Sequence, residues 1–478
     1  MATMYWPAFE GHSRDVVLVG TVALLYAVVV LARCYRRQSR VVPVVSARDD
    51  GDRSRSAVLS IDEKDPNKDR THGEWTPVDF TYPSITPLQE NLEDMPVRPY
   101  RPFRAGTYHI TMGIRNMEFD NWIEPDHQFP AFHRLRAHRV ATQKHKLIQV
   151  LPDRPGLVKG GADAASELMY ELAEFLSRRC PKVYRVSRHP SSDKLALGWY
   201  GEGRIKDITI LPLNITYHLD QEDPMTVCAL LIQDDLAIMI EGSDGRYYLQ
   251  AGAILLPGSW RLRDKIGMPL DEIHISGHVP HYEQKLQPSL TRFFRRLTPS
   301  GPVARDNWLI WTLDPTKIAE ETKADAAGRV GDPDALAWSE TAYGPEDEFF
   351  HPPSSYALSL GASAPPPPVA RPAAPTPTPA PTPQTMRLRA EHQTLRRLPR
   401  SGAIVFTIRT YLTPIEELGR ESGIPGRLAS AVRGVQGVVW SHRKQVKYEQ
   451  ALLDYLDKCH REQVEAGAVD GDASETTK

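Results

Sequence analysis

Ten of the nineteen residues at positions 365–383 (PPPPVARPAAPTPTPAPTP) are proline. Proline fixes φ and carries no backbone N–H, so such a run can neither join a sheet ladder nor continue a helix; it stays polyproline II or disordered. Whatever folds must fold around it. The break extends on both sides, and residues 316–385 are expected to form one proline-rich, disordered insertion. A folded body is therefore expected in two stretches, residues 98–315 and 386–412, followed by a helical region and tail at 413–478. With 478 residues, 41% of them hydrophobic, the chain can bury one large core or two medium ones.

Charge and cysteine usage exclude several classes. Lys and Arg number 58 against 60 Asp and Glu, a formal charge of -2, which lacks the basic excess of a nucleic-acid binder. Cys34, Cys180, Cys228 and Cys459 lie far apart with no C-x-x-C pair, so a zinc ribbon, an iron-sulfur cluster and a disulfide scaffold all lack support. Residues 16–32 (VVLVGTVALLYAVVVLA) are seventeen in a row without a charge, at the lower end of the roughly 17 to 25 needed to cross a bilayer. Glu10 and Asp15 precede the run and Arg33, Arg36 and Arg37 follow it, flanks that suit an uncleaved transmembrane helix rather than a cleaved signal. The trailing arginines outnumber Arg14, so the positive-inside rule predicts a short lumenal N-terminus at 1–15 and a body in the cytosol, with the endoplasmic reticulum as the expected membrane. Residues 33–97, rich in charge and poor in periodicity, are expected to be a flexible tether.

Within the body the hydrophobic patterning is mixed. Residues 164–179 (AASELMYELAEFLSRR) place apolar residues at helical spacing with basic residues at the end, an amphipathic helix. Residues 208–217, 227–232 and 236–240 are short β-branched or aliphatic runs. Gly242-Ser243-Asp244-Gly245 reads as a turn into residues 246–256, which gives an antiparallel strand-turn-strand unit. Helical pattern returns at 282–297 and from 414 to 460. The expected class is α+β, an antiparallel sheet with surrounding helices.

Chemistry-bearing candidates are few. His274, His278 and His281 are close enough in sequence to suggest a metal, but Gly277 and Pro280 prevent one helix from presenting all three, and an exposed loop fits that spacing better. The block at 257–267 (PGSWRLRDKIG) is a strand-exit turn whose Arg and Lys side chains suit carboxylates. Asp234 and Asp235 end one strand run and Glu241 ends the next, where a buried acid could acquire a raised pKa. No G-x-S-x-G elbow, H-E-x-x-H helix or dinucleotide fingerprint is present.

Several blocks occur in a recognisable order: Met112-Gly113-Ile114 before Asn121-Trp122-Ile123-Glu124, Gln233-Asp234-Asp235-Leu236, the 257–267 block with Trp260 and Lys265, Ile273-His274 before Val279-Pro280, and Asn307-Trp308. Residues 391–399 (EHQTLRRLP) and 406–411 (FTIRTY) complete the series. Together they resemble the heme-dependent oxidative N-demethylase family over about residues 100–412, the insertion excepted. The resemblance implies a PAS-like α+β domain that binds heme b, uses dioxygen and demethylates a small secondary amine, with electrons from a separate flavin or iron-sulfur reductase. It implies His274 as iron ligand with His278 as runner-up, Arg263 and Lys265 on the propionates, and Trp260 and Trp308 packing the macrocycle. Asp234, Asp235, Glu241 and Glu391 are the candidate carboxylates over the iron. The membrane span, the tether, the insertion, and His278 and His281 depart from the bacterial pattern. Hydroxylation of a larger hydrophobic metabolite, a non-catalytic heme sensor and a heme-free scaffold are the alternative expectations.

Overall fold

Two antiparallel sheets and nine α-helices make up the ordered elements of the computed structural model, which describes residues 66–108, 111–190, 198–277, 279, 281–313, 337–338, 346–347, 359, 380–435 and 448–469. The strands are β1 (Arg115–Asn116), β2 (Ile148–Val150), β3 (Tyr184–Arg188), β4 (Ile205–Ile210), β5 (Ile215–His218), β6 (Asp235–Glu241), β7 (Tyr247–Ala253), β8 (Val303–Thr312), β9 (Met386–Arg397) and β10 (Ile404–Pro414). The helices are α1 (Phe129–Leu147), α2 (Ala162–Arg179), α3 (Pro224–Leu231), α4 (Leu262–Lys265), α5 (Leu270–Ser276), α6 (Gln287–Arg296), α7 (Ile415–Arg420), α8 (Ile424–Gly434) and α9 (Glu449–Glu465). The larger sheet runs β1-β8-β9-β10-β6-β7-β2, and β3-β4-β5 form the smaller one. The α+β expectation holds. Among the described residues no helix is long and apolar enough to cross a membrane; the run at 16–32 lies outside them.

The proline-rich segment finds its place in the register. β8 pairs with β9 from Val303↔Leu395 to Thr312↔Met386, so everything between residues 312 and 386 is topologically the loop of one hairpin. Loop closure grows only with the logarithm of length, which makes so long an excursion tolerable. The insertion is not wholly outside the fold, however. Ala337 and Trp338 are buried, and the Ala337 carbonyl accepts from the N–H of Gly258. Glu346 pairs with Arg139 at 3.1 Å.

Three further expectations are corrected. The tether of residues 33–97 packs onto the body from Asn67 onward: Arg70 pairs with Glu241 at 2.7 Å, the Trp75 indole donates to the Pro399 carbonyl at 2.9 Å, and Ile85, Leu92 and Met95 are buried. Its charges are partners for the body, which low-complexity composition alone does not reveal. The run at 227–232 is helical, because Pro224 opens α3 and the Asp223 carboxylate caps it by accepting from the Thr226 N–H. The domain does not end at residue 412. Leu418, Leu428, Val432, Leu452 and Leu456 of α7, α8 and α9 share a core with Phe103, Trp308, Ile310 and Leu388.

Alternation along the central strands assigns the two faces of the large sheet. Ile238, Ala251 and Val405 lie beneath Leu168, Leu172 and Phe175 of α2, and Arg396, Arg409, His392 and Trp308 share that α2 face by register. Ala237, Met239, Leu249, Leu395 and Ile404 form the α5 face, covered by residues 262–297. Arg305, Asn307, Glu391, Gln393, Phe406 and Ile408 also lie on the α5 face.

Candidate functional site

The layer over the α5 face is built by the chain that leaves β7. The Leu249 N–H donates to the Met268 carbonyl and the Gly267 N–H to the Leu249 carbonyl, which stitches the segment back onto the strand. Upstream, Gly258 has a φ of +76°, and a Cβ there would lie 2.1 Å from the Trp311 ring. Only glycine lets this loop cross so close to the sheet. Trp260 follows on the same face, partly buried against the cluster that holds Leu262, Ile266 and Tyr282.

His274 lies on α5. Its Nδ1 is 2.7 Å from the Leu270 carbonyl. A carbonyl oxygen can only accept, so Nδ1 carries the proton and the Nε2 lone pair is available. The Tyr282 ring stacks on the imidazole at 4.7 Å between centroids and 9° between planes, which fixes its orientation. Burial holds His274 below the ordinary imidazole value, with the positive charges of Arg305 and Lys265 adding to it, so the ring is neutral at pH 7. Among the described residues Nε2 has no hydrogen-bond partner. A neutral imidazole fixed by an Nδ1–H to carbonyl bond is how protein histidines are set to ligate iron.

The α5 face of the sheet, over which His274 lies, carries side chains of mixed polarity. Phe406 and Ile408 on β10, Arg305, Asn307 and Leu309 on β8, and Glu391 on β9 are all partly exposed, although β9 and β10 are interior strands of the large sheet. The Glu391 carboxylate accepts from Arg389 Nε at 3.2 Å and from Gln393 Nε2 at 2.9 Å, which leaves acceptor capacity on both oxygens. Arg305 differs. Its Nε is buried, and among the described residues its guanidinium makes no hydrogen bond or ion pair.

The predicted site residues divide between the faces. Trp260, Lys265, His274 and Glu391 gather on the α5 face. Lys265 is buried there and donates to Ser276 Oγ at 2.6 Å, which ties α4 to α5. Arg263 points away to Asp347 at 3.6 Å, because its place on the four-residue α4 is outward. Trp308 packs edge-on to Phe103 on the α2 face, so it is remote from His274; a period of two puts Arg305, Asn307 and Leu309 on the α5 face instead. Asp235 is structural: its carboxylate pairs with Arg136 at 2.8 Å and accepts from the Leu255 and Leu256 N–H groups. Glu241, at the other end of β6 and about 20 Å away at strand rise, is consumed by Arg70 and Arg295. His281 is exposed with a φ of +53°. His278 lies outside the described residues, among which no trio of His, Cys, Asp or Glu is arranged to hold a metal.

Asp234 belongs to the α2 face, among Arg409, His392 and Arg136. Burial raises its carboxyl to about 6 against the pull of those cations, and among the described residues its side chain accepts no hydrogen bond. The neighbouring charges are paired: Arg409 with Asp126 at 2.7 Å, and His392 with Asp306 at 2.8 Å. Arg305 is the residue that the sequence did not single out. Its signal is the alternation along β8, which places it two positions before Asn307 on the same face.

Compared with known families, residues 113–453 match a family model described as haem-dependent oxidative N-demethylase, alpha subunit-like. The matched span contains every residue of the α5-face arrangement and extends through α8 into α9.

Proposed function

Because the chain belongs to the heme-dependent oxidative N-demethylase alpha-subunit-like family, we propose that the α5-face site holds heme b and oxidatively N-demethylates a small secondary amine. The observation that carries this is His274, neutral, oriented by Leu270 and Tyr282, with Nε2 free to ligate iron. Bound there, heme supplies dioxygen activation: one oxygen atom enters a methyl C–H bond, the C–N bond then breaks to release formaldehyde, and the other atom leaves as water with two electrons and two protons from a donor.

The chain's own residues do the remainder. Leu270 holds the His274 proton at Nδ1 and keeps the ring basic at Nε2. Trp260 and Phe406 provide apolar surface, which excludes water from the reacting carbon. Glu391, partly exposed on the same face, receives the substrate ammonium, and its bonds to Arg389 and Gln393 hold it in place. Electrons come from a separate flavin or iron-sulfur reductase, in keeping with four scattered cysteines and no dinucleotide fingerprint. Residues 16–32 anchor the chain in the endoplasmic reticulum membrane with the body in the cytosol, a topology that rests on the apolar run and its trailing arginines. Alkaline carbonate extraction should leave the full chain in the pellet, and protease outside intact microsomes should digest the body; release or protection reverses the assignment.

Catalysis is tested by reducing the ferric protein without oxygen, admitting oxygen with candidate amines, and measuring formaldehyde against oxygen consumed. Near one-to-one formation is expected with a secondary methylamine. Stable oxygen binding without product, across amines and hydrophobic metabolites alike, makes the protein a sensor rather than an enzyme.

A further inference from the structure

We propose that Arg305 is the carboxylate-binding residue of the His274 site, an inference that rests on the heme reading and adds a ligand group to it. Arg305 occupies the middle of β8, opposite Gln393 on β9, which in turn lies opposite Ile408 on β10. Its Nε is buried, and among the described residues no carboxylate, carbonyl or hydroxyl meets its guanidinium. The other arginines of this face are used differently. Arg389 donates to the Leu256 carbonyl at 2.9 Å and to Thr410 Oγ1 at 3.0 Å, and Arg397 donates to the Leu297 carbonyl at 2.6 Å.

A guanidinium stays charged in a protein, so Arg305 cannot relieve its burial by losing a proton. Arg305 is partly exposed with its Nε buried and without an acceptor, and a bidentate carboxylate is the group whose geometry matches such a fork. Glu391 is the carboxylate whose charge acts most strongly on Arg305, but it makes no hydrogen bond to it. It lies one diagonal step along the sheet and is engaged by Arg389 and Gln393. Arg305 and the His274 helix lie over the same face of the sheet, and the positive charge of Arg305 helps hold the imidazole below its ordinary value. The two terminal nitrogens of Arg305 are not among the buried unpartnered atoms, so the fork is open to a carboxylate brought by a bound molecule.

Two sources share this chemistry. One is a propionate of the heme. The other is the carboxylate of a substrate whose ammonium meets Glu391, which makes that substrate an N-methyl amino acid rather than a simple amine. Full-length wild type, Arg305→Ala and the size-matched Arg305→Gln are titrated with hemin and with hemin dimethyl ester, following the Soret band, and the loaded proteins are then titrated with N-methylglycine and dimethylamine. If propionate is the partner, wild type binds hemin at least tenfold tighter than the ester, and both variants bind the two alike. If substrate is the partner, the variants keep hemin affinity but lose at least tenfold in N-methylglycine affinity while dimethylamine binding is unchanged. Variants that match wild type with hemin, ester and N-methylglycine overturn the proposal. Should wild type take up no hemin, the functional reading fails, and calorimetry of N-methylglycine on wild type and Arg305→Gln decides Arg305 separately: equal or absent heats in both reject it, and binding by wild type alone sustains it.

Discussion

The two faces of the large sheet treat charge in opposite ways. On the α2 face each buried basic side chain meets a carboxylate, although some of its other nitrogens lack a partner among the described residues: Arg409 meets Asp126, His392 meets Asp306, and Arg396 meets Glu171. Arg396 is in addition enclosed by the rings of Phe119 and Trp122 at 4.5 and 4.4 Å. On the α5 face Arg305 has no such match among the described residues, Glu391 keeps spare acceptor capacity, and His274 presents an open Nε2. Closed pairs hold layers together. Unmatched groups beside partly exposed apolar side chains are arranged for a ligand.

The comparison breaks most visibly if the α2 face is disturbed. Asp126→Ala leaves Arg409 buried without its carboxylate, which should cost about 3–5 kcal/mol in urea unfolding. The protein that remains folded should still bind heme with unaltered affinity; a selective loss of heme would mean that the two faces are not separate in function.

Asp234 gives a smaller, pH-dependent effect. Its carboxyl titrates at about 6 in the fold against an ordinary 3.8. Between those values the native state holds a proton that the unfolded chain has shed, so unfolding free energy should climb as pH falls from 7 to 4, by roughly 2–3 kcal/mol. Asp234→Asn should lack that increment and be the more stable protein at pH 7.5. A mutant with the same pH slope as wild type would show that the carboxyl is not desolvated.

The effect shrinks again at the insertion. Replacing residues 364–379, which stop short of the Thr382–Thr385 turn bonded to Glu416 and Arg387, by a short Gly/Ser linker should alter stability by less than about 0.5 kcal/mol and leave heme content alone, since a half-proline segment contributes little buried area. A larger loss would place that stretch against the body, as Ala337 and Trp338 already are.

What could be read from sequence follows from how local each signal is. The helix at α2 and the hairpin of β6 and β7 rest on periodicity and turn residues within a dozen positions, and both were legible. The block containing Ile273-His274 pointed to the α5 face because the ligand-like histidine is fixed by its own helix, four residues away at Leu270. Trp308 went astray because a motif match carries no parity: Asn307 and Trp308 are adjacent in sequence and on opposite sides of the sheet. Asp235 and Glu241 looked catalytic until Arg136, Arg70 and Arg295, far away in the chain, arrived as partners. Arg305 was hidden for the converse reason, since lacking a partner is visible only when the whole neighbourhood is assembled.

The most direct test of the contrast between the faces is the absorption spectrum of the heme-loaded protein compared with that of His274→Ala. The mutation removes one hydrogen bond and a ring stack, at a cost of about 1–2 kcal/mol, and should leave the fold intact. The wild type should show a Soret band that His274→Ala loses or shifts and that added imidazole restores, while His281→Ala keeps the wild-type spectrum. An unaltered Soret band in His274→Ala, without imidazole, would contradict the assignment of the α5 face as the heme site.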